Sequence, residues 1–208
     1  MARVGIIVLF SWSALSNVVA SRRQWSGLEP TWHKVAAVGS SALGIAFCAL
    51  VVWAYLRRSR ASITDRSPLV WVVAPLATVI PLVMAAVPPA PSGAVRDALV
   101  LGLTLAGLSW SVWSVRTLST NLSVVPQARV AVTDGPYRLV RHPLYFGEIV
   151  ALCGLALHVG RWEAGLVILL EVALQIYRAS REERLLARAI PGYREYAEHT
   201  RRLIPGVW

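Results

Sequence analysis

Long runs of apolar residues, separated by short polar segments, are the dominant pattern of this chain. Four runs, at about 4 to 20, 35 to 56, 68 to 88 and 96 to 115, are each close to the ~20 helical residues that cross a bilayer. Two shorter runs, at about 144 to 159 and 164 to 177, are joined by GRWEAG and predict a helical hairpin. The pattern therefore predicts an all-α, polytopic integral membrane helical bundle with about five to six transmembrane helices.

The composition agrees with a membrane protein. Of the 208 residues, 56% are hydrophobic and only 15% are charged, which lies outside the usual range for a soluble domain. The net charge of +10 needs no nucleic-acid partner, because basic residues that flank apolar spans bind anionic headgroups. Cys48 and Cys153 lie inside apolar runs without a neighbouring ligand at metal-binding spacing, so we expect no metal site.

The distribution of arginines predicts how the chain is oriented. The segment RRSRASITDR, residues 57 to 66, has four arginines and one aspartate, whereas the connection near 89 to 95 has no charge. The positive-inside rule therefore places residues 57 to 66 in the cytoplasm. Counting spans from there puts both termini and residues 116 to 143 on the same side, with Arg22, Arg23 and Lys34 outside. We expect a prokaryotic inner-membrane protein with its polar site facing the cytoplasm.

The segment GPYRLVRHPLYFGE, residues 135 to 148, is unusually polar for this chain. Pro143 is well placed as the first residue of a helix, and the free amides at residues 144 to 146 then form a candidate anion site. His142 precedes this helix and is expected to cap it or to contact the bound group. The alternative is an interfacial anchor, with the arginines on lipid phosphates and the tyrosines in the aromatic belt.

A stripe of polar residues follows in the next helix. Glu171, Gln175, Arg178 and Glu182 recur at intervals of four, three and four, which places them within about 60° on a helix surface. An ionisable group at the depth of Glu171 is a functional candidate by default, and Glu148 is expected to face the same space. The alternative is an Arg178–Glu182 pair that only solvates the helix end.

Three segments, TDGPYRLVRHPLYFGE, YRASREERLL and PGYREYAEHTRRLIPGVW, carry the ordered set G-x-Y, R-H-P-x-Y, E-E-x-x-L, Y-x-x-Y and R-x-I-P. Over roughly residues 116 to 208 the chain resembles the isoprenylcysteine carboxyl methyltransferase family and, more broadly, the phospholipid-methyltransferase-like membrane proteins. The resemblance implies an enzyme that binds S-adenosylmethionine at its cytoplasmic face. The implied acceptor is a lipophilic small molecule or prenylated substrate, most simply a carboxylate.

The resemblance does not reach residues 1–115, whose four apolar runs are expected to form four spans that shape the acceptor pocket. Residues 116–208 would form the cofactor-binding catalytic region, with the hairpin 144–177 and a cytoplasmic tail, and the resemblance implies a set of site residues there. Cofactor binding is implied for Gln127, Val130, Val132, Tyr137, His142, Pro143, Leu144, Tyr145 and Glu182. Catalytic roles are implied for Arg178 and Glu182, and acceptor binding is expected of Arg178, Asn121 and Glu171.

The chemistry of the acceptor decides whether a general base is needed. A carboxylate acceptor is already ionised near neutral pH and needs no general base, whereas an alcohol, amine or thiol makes Glu171 or Glu148 the candidate base.

Tyr193 and Tyr196, with the arginines that follow them, predict an amphipathic C-terminal helix on the inner leaflet that covers the cofactor.

Two other functions fit the same composition. A membrane reductase with a nicotinamide cofactor is the alternative enzyme, because sterol reductases have a related C-terminal helical architecture. A non-enzymatic lipid-binding scaffold, in which the arginines only anchor the chain, is the third hypothesis.

Overall fold

The computed structural model of the chain is built from α-helices, as the apolar pattern predicts. It describes the backbone at residues 2–27, 31–58, 61, 63–85, 87, 93–128 and 130–204, and the side chains of these residues except 2–3, 20–27, 31–38 and 128. Its α-helices are α1 (Ala2–Gly27), α2 (Thr31–Arg57), α3 (Pro68–Ala85), α4 (Ala94–Leu118), α5 (Pro143–Val159), α6 (Glu163–Ala189) and α7 (Tyr193–His199).

Apolar stretches of these helices are suited to a bilayer. Three stretches of the described chain, Gly39–Arg57, Pro68–Ala85 and Ala94–Asn121, are long and apolar enough to cross one, and Val4–Val19 and Pro143–Val159 are shorter apolar helices. The chain is therefore an all-α membrane protein, while the number of five to six spans stays a prediction. Several orientation signals, namely the side chains of Arg22, Arg23 and Lys34 and most of the connection near 89 to 95, lie outside the described residues.

Helices α4 and α5 pack closely because small residues face each other. A Cβ atom added to Gly107 would lie 2.7 Å from the carbonyl oxygen of Gly147, and one added to Gly154 would lie 2.6 Å from Oγ1 of Thr104. Small residues at a helix crossing let two membrane helices approach closely. This contact fixes the position of α5, and with it the polar segment that precedes α5.

A short antiparallel ladder that the sequence pattern did not predict joins the α2–α3 connection to the α4–α5 connection. Strand β1 (Ile63–Thr64) pairs with β2 (Gln127–Ala128), with Thr64 opposite Gln127. The backbone N–H of Asp65 also donates to the carbonyl of Pro126 at 3.1 Å. The loop after α2 and the segment before residue 130 are thus held together on one side of the helices.

Residues 122 and 124 to 126 are buried, between the first four helices and α6. Leu122, Val124 and Val125 belong to an apolar cluster with residues of α1 to α4. The Val124 N–H donates to the hydroxyl of the buried Tyr55 in α2 at 2.6 Å. The N-terminal helices therefore support the loop that carries one wall of the candidate site.

Candidate functional site

The polar stripe of α6 faces the protein interior and meets α5. Glu171 and Gln175 have no exposed surface, and Arg178 is 5% exposed. The Gln175 amide nitrogen donates to Glu148 and to Glu171, at 2.8 Å each, and its oxygen accepts from Arg178 at 3.0 Å. The prediction that the stripe points inward and shares its space with Glu148 is confirmed.

The chain of contacts continues from Arg178 towards the end of the stripe. Nη2 of Arg178 donates to the Val124 carbonyl at 3.0 Å, and the guanidinium carbon lies 4.7 Å from the ring centroid of Tyr145. The Tyr145 hydroxyl donates to Glu182 at 3.0 Å. A continuous polar path therefore runs from Glu148, within α5, to Glu182 in the last part of α6.

His142 lies at the outer end of this path. It is 5% exposed, and its ring stacks on Tyr145 with centroids 5.3 Å apart and an interplanar angle of 1°. Its Nε2 lies 3.1 Å from Glu183, and its Nδ1 lies 3.9 Å from Glu182. The R-H-P-x-Y segment and the E-E-x-x-L segment are thus in direct contact.

Two details of the predicted anion site are wrong. The His142 side chain does not cap α5, because the helix N-cap has no side-chain hydrogen bond. The Phe146 N–H is not free, since it donates to the His142 carbonyl at 3.2 Å. His142 is the N-cap residue, whose carbonyl accepts the first hydrogen bond of the helix, so only the amides of residues 144 and 145 remain from the predicted set.

Glu183 is the acidic centre of a second cluster. It accepts hydrogen bonds from Arg202, the shorter of which is 2.6 Å, and lies 3.1 Å from both His142 and Arg141. Burial disfavours its charge, but the hydrogen bonds from His142 and Arg202 outweigh it and hold the pKa of Glu183 at about 2. Glu183 is therefore ionised at neutral pH and fixes the rings and guanidinium groups around it.

A cleft opens from this cluster to solvent. About 40 Å³ of it is enclosed free space, within about 460 Å³ of empty volume that includes its open mouth. Seven of the predicted site residues line it: Asn121, Gln127, Val130, Val132, Tyr137, His142 and Glu182. Burial, and then the Glu182 carboxylate, raise the pKa of Tyr137 well above its usual value, so this phenol stays neutral.

The other predicted site residues lie behind the cleft and do not line it. Pro143 is fully buried, and Leu144 packs against the apolar cluster of the N-terminal helices. Tyr145 reaches the site through His142 and Glu182, while Arg178 and Glu171 lie deeper along the polar path. Arg129, part of the backbone segment expected near the cofactor, lies outside the described residues.

Helix α7 forms the outer wall of the cleft. Tyr193 and Tyr196 line it, and the Tyr196 hydroxyl donates to the Tyr137 carbonyl at 2.6 Å. Nη1 of Arg141 donates to the Ala197 carbonyl at 2.8 Å, and the Arg141 N–H donates to the Arg201 carbonyl at 2.8 Å. A helix is present at the predicted position and lines the cleft, whereas its amphipathic character, its position on the inner leaflet and a role in covering the cofactor stay predictions.

Several residues of the site were not predicted. Arg141 lines the cleft but was interpreted only as a lipid anchor, and Glu183 and Arg202 were not singled out. The motifs offered one signal for these two residues. Glu183 is the second glutamate of E-E-x-x-L and Arg202 is the arginine of R-x-I-P, and their opposite charges are expected to pair. Ala131, Leu118 and Leu186 also line the cleft, and no sequence signal marks such apolar residues.

These observations define a class: an all-helical membrane protein with a buried polar path that ends in a cleft at one end of the helices. Residues 95–191, just under half of the chain, match the model of the phospholipid methyltransferase family. The predicted relationship to membrane methyltransferases is thereby confirmed. The matched region contains α4, α5 and α6, which carry most of the site.

Two curated relatives are each similar to about half of this chain. The cobalt-zinc-cadmium resistance protein CzcN of Cupriavidus metallidurans is 35% identical over 105 residues, which are 50% of this chain and 49% of that protein. The nickel-cobalt-cadmium resistance protein NccN of Alcaligenes xylosoxydans xylosoxydans is 30% identical over 115 residues, which are 55% of this chain and 51% of that protein. The chain thus spans about half the length of the curated relatives it matches.

Proposed function

We propose that the protein is an S-adenosylmethionine-dependent methyltransferase that acts on a lipophilic acceptor at the cytoplasmic face of a prokaryotic inner membrane. The observation that carries this proposal is the contact between Tyr145 and Glu182. At this contact the cleft, which opens to solvent, meets the polar path, which extends among apolar helices. Such a junction lets a water-soluble donor and a membrane-soluble acceptor approach each other from opposite sides.

The residues of the cleft fit the chemistry of the proposed cofactor. Its α-ammonium group is suited to the Glu182 carboxylate, and its carboxylate to the Arg141 guanidinium. Tyr137, Tyr193 and Tyr196 offer aromatic faces for the adenine and for the positive sulfur centre. We therefore place the cofactor in the cleft, with the predicted residues Asn121, Gln127, Val130 and Val132 at its edge.

The size of the cleft indicates that its wall must move. Its enclosed space of about 40 Å³ is far below the roughly 300–1,000 Å³ of sites that enclose small molecules. The movable part is the outer wall, since α7 is only seven residues long and Val130 is 64% exposed. We propose that cofactor entry displaces α7 and the segment at residues 130 to 132.

When bound, S-adenosylmethionine supplies a methyl group on a positively charged sulfur. The contribution of the chain is to orient the reactants and exclude water, for which alignment effects of ~7 to 11 kcal/mol are available. His142 and Tyr145 form a stacked pair whose position is fixed by Glu182 and Glu183. We propose that this pair separates the donor from the buried part of the path until the acceptor is in place.

The preferred acceptor is a carboxylate, as the resemblance implies. Arg178 uses Nη1 and Nη2 for Gln175 and Val124, but its buried Nε has no hydrogen-bond partner among the described residues. A buried donor without a partner destabilises a protein by about 1–3 kcal/mol. An acceptor carboxylate would remove this penalty, and Arg178 would hold it towards the cleft.

A neutral nucleophile is the second candidate acceptor, and a different observation favours it. One carboxylate oxygen of Glu171 is buried and has no hydrogen-bond partner in the described chain. An amine or alcohol acceptor would donate its proton to that oxygen, while Gln175 holds Glu171 and Glu148 in place. In this case Glu171 acts as the general base.

Transfer of a labelled methyl group tests the proposal and separates the two acceptors. Membrane lipids from the source cells are incubated with the purified protein and methyl-labelled S-adenosylmethionine, and the organic extract is counted. We expect label in the extract, and mild alkali should release it as methanol if the acceptor is a carboxylate. Label that survives alkali would favour the amine or alcohol acceptor.

Binding measurements separate the methyltransferase from the two other hypotheses. We expect saturable calorimetric binding of S-adenosylmethionine and of its demethylated product, both weakened by Glu182→Gln. Silence with both compounds would favour the lipid-binding scaffold. A change in nicotinamide absorbance with an unsaturated lipid would instead support the reductase.

A further inference from the structure

A second cavity, distinct from the cleft, lies between the loop before α3 and the outer side of α6. Its volume is about 600 Å³, and its walls include Asp65, Arg66, Arg181, Arg184 and Arg188. This volume is within the roughly 300–1,000 Å³ typical of sites for small molecules. We call it the basic cavity, because four arginines and one aspartate give its wall a net charge of +3.

The aspartate does not neutralise the cavity, because one arginine already uses it. Arg181 donates to both carboxylate oxygens of Asp65, at 2.7 and 2.9 Å, and Asp65 is 5% exposed. The Asp65 carboxylate also accepts from the Ser67 N–H at 2.8 Å, which holds the loop against α3. This pair is a fixed part of the wall and leaves the other guanidinium groups to face a ligand.

The remaining arginines are available for an anion. Arg66, Arg184 and Arg188 are exposed, and none of them lies within ion-pair distance of a carboxylate among the residues that the structure describes. Arg184 is oriented by a hydrogen bond from its Nε to the Ser180 carbonyl at 3.2 Å, which leaves its two terminal nitrogens for another partner. Guanidinium groups bind phosphate oxygens in pairs and with defined geometry.

The position along the helices favours a lipid headgroup over a soluble anion. The apolar run of α6 ends near residue 177, so Arg181 and Arg184 lie about 6 to 10 Å beyond it along the helix. Arg181 thus lies within the headgroup layer, which is about 5 to 8 Å thick in each leaflet. Arg184 and Arg188 follow about one and two turns further out, and long side chains on a helix point back towards its N-terminal side, which here is the membrane side. On the other wall, Arg66 is two residues before the start of α3, a candidate membrane span.

We propose that the basic cavity binds the headgroup of a membrane lipid that carries two phosphate groups. Three uncompensated positive charges in a cavity of about 600 Å³ match a doubly charged headgroup better than a singly charged one. The bound lipid would join the α3 end to the α6 end. This site goes beyond the proposed methyl transfer, because its residues are on a different side of α6 from Glu182.

Lipid retention by the full chain in phosphatidylcholine nanodiscs tests the site. One set of discs contains diphosphatidylglycerol, and the other contains twice as much phosphatidylglycerol, so that the charge is equal. Native mass spectrometry then measures how much of each lipid stays with the protein. We expect selective retention of diphosphatidylglycerol, and a loss of about 30-fold in affinity for it in Arg184→Gln/Arg188→Gln.

The matched control removes the same charge elsewhere. Arg116→Gln/Arg194→Gln replaces two exposed arginines outside the cavity and should keep the selectivity. Equal losses in both double variants would overturn the proposal, because they would show a general effect of charge. If the α6 variant does not fold, Arg66→Gln on the opposite, loop-borne wall should reduce retention by itself.

A soluble ligand is the competing outcome. Inorganic pyrophosphate is titrated calorimetrically into the protein in phosphatidylcholine discs. Saturable binding that depends on Arg184 and Arg188, without any preference between the two lipids, would show a site for a soluble diphosphate and would contradict the lipid proposal. Methyl transfer has a separate assay, so failure of either proposal leaves the other to be tested.

Discussion

Helix α6 carries two polar faces that differ in almost every physical respect. The inner face, with Glu171, Gln175 and Arg178, is buried, and its side chains are hydrogen-bonded to one another and, through Gln175 and Arg178, to α5 and the Val124 carbonyl. The outer face, with Arg184 and Arg188, is exposed and lies about a third of a turn away. Both faces contain arginine, so the difference between Arg178 and Arg184 lies in their surroundings.

The difference determines how each face responds to substitution. A charge on the inner face has lost its water, and its partners supply the only compensation, so removal of one member leaves the others buried and unpaired. A charge on the outer face stays hydrated, and water replaces whatever contact is lost. We therefore expect large effects on folding and on the proposed activity from the inner face, and effects on ligand binding alone from the outer face.

The largest effect is expected from Arg178→Met, which removes the central cation of the inner face. Glu148 and Glu171 would then share a buried space without their positive neighbour, and the Val124 carbonyl would lose its donor. Removal of one partner from a buried ion cluster destabilises a protein by about 3–5 kcal/mol. We expect labelled-methyl transfer to fall to background, together with a lower unfolding temperature in detergent.

The same substitution at an exposed arginine is the control. Arg116→Met changes a residue at the end of α4 that lies outside both cavities. The Arg116→Met variant should unfold at the same temperature as the wild type and should keep the proposed methyl transfer. If Arg178→Met unfolds at the same temperature as Arg116→Met, the inner face does not contribute to stability as its contacts indicate.

A smaller effect is expected from Glu182→Gln, where the polar path reaches the cleft. The amide still accepts a hydrogen bond from Tyr145, so the packing is kept, but the negative charge facing the cleft is lost. Hydrogen bonds to charged groups contribute about 1.5–3 kcal/mol, so binding of S-adenosylmethionine should weaken by about 10- to 100-fold. Calorimetry measures this change, with Glu198→Gln, an exposed residue of α7, as the control. Equal affinity in both variants would place the cofactor elsewhere.

The contrast between the faces also explains what could be predicted from the sequence. The apolar runs define the helices, because a bilayer span requires about 20 apolar residues in a row. The intervals of four and three residues fix which side chains share a face of α6, because the helical repeat is local. The inward direction of Glu171 followed from the energetic penalty for a carboxylate exposed to lipid.

Other parts of the site depend on contacts between distant segments. Val124 joins Tyr55 to Arg178 through its two backbone groups, and neither the residue type nor its neighbours mark it. Glu183 pairs with Arg202 only because the tail returns to α5, and Glu183 lies outside the periodic stripe that marks Glu182. The periodic spacing of residues along one helix does not show where the chain returns to an earlier segment, so these residues were missed.

A third prediction concerns the pH dependence of stability, through the Glu183 cluster. Its folded pKa of about 2 is below the value of 4.5 for a free glutamate. The ionised form is therefore stabilised by folding, and this contribution is fully present above pH 4.5 and lost as the pH falls towards 2. We expect Glu183→Gln to unfold at a lower temperature than the wild type at pH 7. The gap between the two unfolding temperatures should narrow below pH 4.5.

Tryptophan fluorescence during heating, at a series of pH values from 7 to 3, measures this gap. Glu195→Gln changes an exposed glutamate of α7 and should show no gap that depends on pH. A Glu183→Gln gap of constant size across the series would mean that the carboxylate charge is not what stabilises the cluster.

The smallest effect is expected at the outer wall of the cleft, from Tyr196→Phe. This substitution removes only the hydroxyl that donates to the Tyr137 carbonyl at 2.6 Å, and it keeps the ring that lines the cleft. One such hydrogen bond contributes about 1 kcal/mol, so α7 should open about fivefold more often and release of the cofactor product should speed up by the same factor. Stopped-flow displacement measures the rate, with Tyr193→Phe as the control, because the Tyr193 hydroxyl makes no hydrogen bond to the described part of the chain. Equal release rates in both variants would mean that α7 does not gate the cleft, and the inner face alone would then set the residence time of the cofactor.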